Sequence, residues 1–483
     1  MSDNVQLLIG GSNRDAASGK TFDRCSPVSG DIMTTAAAGG VDDAVAAVDA
    51  AAAAFGSWST TSPTERRMLL LAAADRLEAK ADDFASATVA EIGAPAHWAQ
   101  FNVGLAGSIL REAASITTLV TGETIPSNVP GSLAMSVRKP AGVVLGMAPW
   151  NAPVILGTRS LATPLAVGNT VVFKASEKCP RIHRLIVDAL VEAGLPDGVV
   201  NFVSHAPDDA PEVVEAMIAH AAVRRVNFTG STAVGRIIGR LCGQHLTPSV
   251  LELGGKAPFV VLDDADVDAA VEAAAFGSFA NSGQICMSTE RIIVDERIAD
   301  EFVDKLAVKA AGLPTGDPSG QVVLGSVVDA STVERCNMLL DDAVDSGARL
   351  VAGERATSTL MPATLLDGVT SQMRIWREES FGPVKSIMRV DGVDAAVAAA
   401  NDTEYGLSSA VFGRDVARAL DVAHRIDSGI CHVNGATVHD EPQMPFGGVK
   451  NSGWGRFGGM AGVHEFTDVQ WVTVQQGPRH YPF

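Results

Sequence analysis

Apolar positions fall along the chain in two rhythms. Long alanine-rich stretches with interspersed charges read as helices, and short β-branched runs between them read as strands. Val41 to Ala54 is one such helix, opening on Asp42 and Asp43, residues that suit a helix N-terminus. The phrase recurs as Asp266-Val-Asp-Ala-Ala-Val271 and Gly392-Val-Asp-Ala-Ala-Val397. Its irregular spacing excludes a solenoid and leaves three acid-capped amphipathic helices. Apolar runs at Val143–Leu145, Thr170–Phe173, Val199–Val203 and Phe259–Leu262 alternate with helical patterns. That order predicts βαβ units and a mainly parallel sheet.

Two segments break the rhythm. Ser132 to Lys139 and Asp468 to Gln475 alternate by twos, as half-exposed strands do, and no helix follows either. They predict a separate small sheet. No linker-like or low-complexity run divides the chain, so its domains are expected to pack closely.

Composition narrows the class. With 483 residues, 47% of them hydrophobic, the chain can form two or three domains and is not disordered. A net charge of −19 excludes a general nucleic-acid binder, since that affinity comes from Lys and Arg. It leaves room for an anionic cofactor held locally by backbone N–H groups and one or two lysines. No apolar run reaches the roughly 18 residues of a membrane span, so no membrane partner is expected. The opening Met1-Ser2-Asp3-Asn4 lacks the basic and apolar regions of a secretory signal, which predicts a cytoplasmic protein. Cys25, Cys179, Cys242, Cys286, Cys336 and Cys431 form no CxxC pair and no metal-like spacing. Free thiols in a reducing compartment are expected, no metal site among them, with at most one nucleophile and the rest packing residues.

Several short motifs carry candidate chemistry. Cys286 sits in the Gly/Ser/Gln-rich loop FGSFANSGQICMS, accessible to a substrate there or else a buried inert thiol. Glu252 in LELGG is an acid among apolar residues, a general base if its pKa is raised, or an ordinary acid at a strand end. Asn151 in MAPWNAP lies between two prolines that fix the backbone. Its amide is either an oxyanion donor or the cap of a helix starting near Ala152. No GxGxxG is present, but Phe228-Thr-Gly230-Ser231-Thr-Ala-Val-Gly235 joins a strand-like run to a helix. Val234, Ile237, Ile238 and Leu241 give that helix one apolar face. Such a turn offers free N–H groups to a pyrophosphate. Lys174 and Glu177 end another strand, where they bond ribose hydroxyls or form a surface ion pair. An acid there disfavours a 2′-phosphate.

The series MAPWNAP, FKASE, FTGST, LELGG, GQIC, Glu378-Glu379-Ser-Phe381-Gly-Pro and Met444-Pro-Phe-Gly-Gly-Val-Lys450 resembles the aldehyde dehydrogenase superfamily from end to end. The segment Asn434 to Gly448 is most similar to the branch that oxidises vanillin, salicylaldehyde and benzaldehyde. The resemblance implies a Rossmann-like cofactor domain (1–125 and 141–255), an α/β catalytic domain (256–458) and bridging strands (126–140 and 459–483) that mediate a homodimer or homotetramer. It implies that Cys286 is the nucleophile, that Asn151 with the Cys286 N–H holds the oxyanion, and that Glu252 activates the hydrolytic water. It implies NAD, with NADP possible, bound by Trp150, Lys174, Glu177, Gly230, Ser231, Gly235, Gly254, Glu379 and Phe381. The expected substrate is a small aromatic aldehyde walled by Trp98, Arg159 and Phe446. The rival readings are an aliphatic or semialdehyde substrate, an acylating CoA-dependent enzyme, and a cofactor-free cysteine hydrolase using His220 or His245.

Overall fold

The computed structural model describes residues 3–483; Met1 and Ser2, the first half of the stretch read above as carrying no signal, lie outside the described residues. Among the described residues there are five sheets, three of which organise the chain. The first has eight strands in the order Gly453–Trp454, Ser249–Glu252, Val223–Thr229, Val143–Met147, Thr170–Lys174, Val200–Val203, Leu7–Ile9 and Ser12–Arg14. Its five central strands are parallel and its flanking strands antiparallel. The side-chain period of two sorts residues onto opposite faces: Val144, Val171 and Phe173 pack into one core, Val143, Leu145 and Val172 into the other.

From Val143–Met147 the chain runs to Thr170–Lys174 and Val200–Val203 on one side, then returns to Val223–Thr229 on the other. Strand order therefore reverses between Val143–Met147 and Val223–Thr229. A doubly wound sheet binds ligands at such a switch point, beyond the carboxyl ends of the strands.

The second sheet has seven strands in the order Arg349–Ala352, Thr364–Asp367, Val384–Val390, Thr289–Asp295, Ala257–Val261, Ser408–Phe412 and Ile430–Val433, parallel except for the first pair. It too is covered on both faces, Phe259 and Val261 on one side and Val260 on the other. The chain re-enters the first sheet at Gly453–Trp454, so the stretch 256–458 is not confined to the second sheet. The third sheet pairs Thr467–Gln475 with Ser132–Pro140 over nine antiparallel residue pairs, with Glu123–Ile125 beyond.

Three local expectations need correction. On the helix Thr232–His245, Ile238 and Leu241 are buried but Val234 and Ile237 are exposed, so only half of the apolar face meets the sheet. Cys25 is exposed on the antiparallel strand Thr21–Cys25, where side chains alternate toward solvent, so it is no packing residue. The helix predicted to end at Ala54 continues to Thr60. Among the described residues, no helix is long and apolar enough to cross a membrane.

Candidate active site

The first sheet presents its carboxyl strand ends to the amino ends of three strands of the second. Asn151, Gly230 and Glu252 come from the first sheet; Gly255, Cys286 and Glu379 immediately precede second-sheet strands.

Cys286 lies between the helix Val267–Phe279 and the strand Thr289–Asp295. The loop before it is unusual. Asn281, Ser282 and Gly283 all have left-handed backbone, with φ of 49°, 54° and 72°. Two consecutive non-glycine residues there carry strain that their surroundings must hold. Asn281 Nδ2 donates to the Asn151 carbonyl at 2.9 Å, Gln284 Nε2 to the Asn281 carbonyl at 3.2 Å, and Gln284 Oε1 accepts the Val328 N–H at 2.9 Å. On the other side Gly255 packs so closely that a Cβ there would lie 2.3 Å from the Cys286 carbonyl oxygen. Burial, then the Glu252 and Glu379 charges, pushes the Cys286 thiol well above its ordinary range.

Asn151 does not cap the following helix. Ala152 is the N-cap of Pro153–Ala166 and no side chain caps it. Asn151 Nδ2 instead donates to the Gln284 carbonyl at 3.0 Å, two residues before Cys286, and its second amide hydrogen stays free. Its own carbonyl is held by Trp98 Nε1 at 3.0 Å. Among the described residues, no acceptor takes the Cys286 backbone N–H. Two donors are thus available on the cavity walls that Asn151 and Cys286 share, the arrangement that stabilises a developing oxyanion.

Glu252 ends the strand Ser249–Glu252 and is 2% exposed. Among the described residues no N–H or O–H group donates to either carboxyl oxygen, and the Cys286 thiol is its polar neighbour. Desolvation raises its pKa to about 8, with the Arg159 charge opposing. A carboxyl of that kind is poised to exchange protons near neutral pH.

Two cavities meet at Cys286. One, of about 300 Å³, opens at the switch point of the first sheet and is lined by Trp150, Gly230, Ser231, Gly254, Glu379 and Phe381 among others. Ser231 caps the helix Thr232–His245, so the first N–H groups of that helix point this way. Glu379 Oε1 accepts the Gly255 N–H at 2.9 Å, leaving Oε2 for a hydroxyl. Burial raises the Glu379 pKa to about 7. The Trp150 and Phe381 rings meet edge-on at 5.7 Å. These features fit a dinucleotide: helix N–H groups for phosphate, a carboxyl for a ribose, aromatic faces for a planar ring. Lys174 and Glu177 are half-buried at the next strand end and are not on this wall. Burial lowers the Lys174 pKa and Glu177 opposes it. Gly235 is also off the wall. A Cβ there would lie 2.3 Å from the Leu253 side chain, so it serves close helix–strand packing.

The second cavity, of about 620 Å³, is mostly apolar, and Trp98, Arg159 and Phe446 all line it. Trp98 stacks on Phe101 at 5.4 Å. Arg159 lies 4.4 Å over the Phe446 ring and pairs with Asp440, both side chains 8% exposed. Among the described residues, Asp440 Oδ1 has no partner. Asn151, Leu156 and Cys286 are common to both walls.

Sequence reasoning did not single out Phe101, Phe276 or Asp440 on the substrate side, nor Lys178, whose Nζ lies 5.4 Å from the Trp150 ring. Phe276 opens the cysteine motif itself and was visible there. His220 pairs with Asp49 at 3.2 Å, and neither it nor His245 lines either cavity, so neither of the two histidines named for the hydrolase reading faces Cys286. Cys179 and His183 do approach to 3.6 Å, but both are fully buried.

Comparison with known proteins agrees with this geometry. Residues 14–472 match the aldehyde dehydrogenase family model. The chain is 59% identical to the vanillin dehydrogenase of Pseudomonas fluorescens over 479 residues, 99% of each chain. It is 50% identical to the salicylaldehyde dehydrogenase of Pseudomonas putida over 481 residues, 99% of this chain and 100% of that one. The crystal structure of a salicylaldehyde dehydrogenase from Pseudomonas putida G7 complexed with salicylaldehyde aligns over the whole of both chains, with a TM-score of 0.98 and 48% identity. A thiol set between two converging cavities, with a buried acid and two free donors on the cavity walls, is thus found in a chain that belongs to the aldehyde dehydrogenase family.

Proposed function

We propose that this enzyme oxidises a small aromatic aldehyde, of the vanillin, salicylaldehyde or benzaldehyde type, to its carboxylic acid with NAD. The observation that carries the reading is the shared wall: Cys286 and Asn151 border both the aromatic-lined cavity and the cavity that fits a dinucleotide. An aldehyde in the first cavity is thereby held against the sulfur and faces the second. The aromatic substrate is favoured by Trp98, Phe101, Phe276 and Phe446, which make a slot for a flat ring, and by the relatives' substrates.

The chemistry follows from the side chains. Cys286 gives up its thiol proton to solvent as the sulfur attacks the carbonyl carbon, forming a thiohemiacetal whose oxyanion is met by Asn151 Nδ2 and the Cys286 N–H. A nicotinamide cofactor held by Ser231, Glu379 and Phe381 would supply the hydride acceptor, and loss of hydride from the adduct leaves a thioester on Cys286. Glu252 then takes a proton from water, the hydroxide attacks the thioester carbonyl, and the acid leaves as the thiol is restored. Hydrolysis rather than transfer to CoA is favoured because Glu252 is buried and poised near neutrality.

Lys174, Glu177 and Ser231 bind the adenosine and phosphate side, and Glu379 with Phe381 the nicotinamide side. Glu177, held below its usual range by Lys174 despite burial, disfavours a 2′-phosphate, so NAD is preferred to NADP. The strand Thr467–Gln475 has a free outer edge with Val469 and Trp471 exposed, and a second copy pairs there to give a homodimer or homotetramer. The six free thiols fit a cytoplasmic location.

The test is kcat/KM for vanillin, salicylaldehyde, benzaldehyde and aliphatic aldehydes, run in parallel with NAD and NADP. The reading expects aromatic aldehydes with NAD to lead. Preference for an aliphatic or semialdehyde substrate overturns the substrate assignment, and preference for NADP overturns the cofactor.

A further inference from the structure

A second polar cluster lies behind the active site. Glu290, four residues after Cys286, is 2% exposed on the strand Thr289–Asp295. Its Oε1 accepts from Ser380 Oγ at 2.6 Å and Lys385 Nζ at 2.8 Å. Its Oε2 accepts from Lys256 Nζ at 2.6 Å and the Ser380 N–H at 3.0 Å. Both lysine side chains are fully buried, and among the described residues Glu290 is their one ion-pair partner.

The sequence positions give this cluster its meaning. Lys256 follows Glu252 by four residues, Glu290 follows Cys286 by four, and Ser380 stands between Glu379 and Phe381. One carboxylate therefore ties together the three segments that carry the base, the nucleophile and the cofactor-side acid. Ser380 is fixed from every side, its carbonyl also accepting Arg335 Nε at 3.0 Å. The next residue, Phe381, is held at φ 44°, a conformation a bulky side chain adopts only when its neighbours impose it. Two buried ammonium groups on one carboxylate are a poor way to gain stability, since well-packed apolar residues would serve as well. The arrangement suits fixing one backbone conformation.

We propose that Glu290 is a positioning residue that sets Glu379 and Phe381 against the nicotinamide end of the cofactor. This rests on the reading above, in which those two residues face that end. Burial alone would push the Glu290 carboxyl up, but the Lys256 and Lys385 charges hold it down at about 2, so the anchor stays ionised across the working pH range.

The test compares Glu290→Gln and Ser380→Ala with the wild type by calorimetric Kd for NAD and for AMP, which lacks the nicotinamide half. Alkylation of Cys286 by iodoacetamide without cofactor serves as a further readout. Both variants are expected to weaken NAD about tenfold while changing AMP less than about twofold, the loss typical of a charged hydrogen bond. Alkylation is expected to stay near the wild-type rate. Ser380→Ala leaves Glu290 and both lysines in place, so it keeps the test decisive if Glu290→Gln fails to fold. Unchanged NAD binding, or equal weakening of NAD and AMP, overturns the positioning role while leaving the proposed function standing. A wild type that binds AMP but not NAD overturns the function reading itself.

Discussion

Replacing Glu252 by Gln keeps the shape of the side chain and removes the base. In the wild type burial pushes the carboxyl up to about 8 against the Arg159 charge and the Cys286 thiol. Steady-state oxidation should therefore rise with pH through about 8, as Glu252 becomes able to accept a proton from water. In Glu252→Gln that limb should vanish and kcat should fall by about 10²–10⁴, the usual contribution of a general base. Hydride loss precedes hydrolysis, so a burst of reduced cofactor equal to the enzyme concentration should persist in stopped flow. Stability provides an independent check. Burial pushes the folded carboxyl up to about 8 from the 4.5 of an exposed glutamate, so below 4.5 it costs nothing and above that the unfolded chain ionises first. Wild-type stability is lost as pH rises from about 4.5 to about 8, by up to about 5 kcal/mol. Glu252→Gln escapes this loss, so its Tm advantage should grow across that window and level off above it. A kcat reduced less than about tenfold, or a Tm difference independent of pH, would refute the reasoning.

Other substitutions probe separate parts of the site. Asn151→Ala removes one oxyanion donor and should lower kcat about 10²–10³-fold with little change in the Kd for NAD, checked by steady-state kinetics and calorimetry. Gly255→Ala puts a Cβ 2.3 Å from the Cys286 carbonyl, so the nucleophile loop must move; activity should drop more than about 100-fold, and iodoacetamide should modify Cys286 at an altered rate. Arg159→Ala leaves Asp440 buried without its partner and should cost about 3–5 kcal/mol in urea unfolding. The same variant should shift kcat/KM between hydroxylated and plain benzaldehydes; an unchanged ratio would remove Arg159 from substrate selection.

Much of this arrangement was legible in the chain because it is local. The apolar runs at Val143, Thr170 and Phe259 became central strands because two covered faces demand continuous hydrophobic segments. The alternating segments Ser132–Lys139 and Asp468–Gln475 did find each other, but the second is exposed on both faces rather than one, so its alternation does not mark a buried side. Asn151, Glu252 and Cys286 stand in motifs whose backbone is set by prolines and glycines, and the fold brings them to one point. What the chain concealed is long-range. Arg159 meets Asp440 across 281 positions, and Glu290 meets Ser380 across 90. Neither acid belongs to a local pattern, since an isolated Asp or Glu reads the same whether solvated or buried. Gly235 shows the converse limit. Its motif suggested a phosphate contact, whereas its place against Leu253 makes it a packing glycine. Lys174 and Glu177 end their strand beyond the wall of the cavity at Cys286, on the side proposed for the adenosine ribose.

The central claim is that an acyl group resides on Cys286 between hydride loss and hydrolysis. Glu252→Gln, mixed with vanillin and NAD and quenched in acid within the burst, can be weighed intact and mapped by peptide. The account predicts one added aroyl group per chain, carried by Cys286 and absent from Cys286→Ser, which should form no reduced cofactor. Reduced cofactor formed at the normal rate by Cys286→Ser, or an acyl group on another residue, would contradict it.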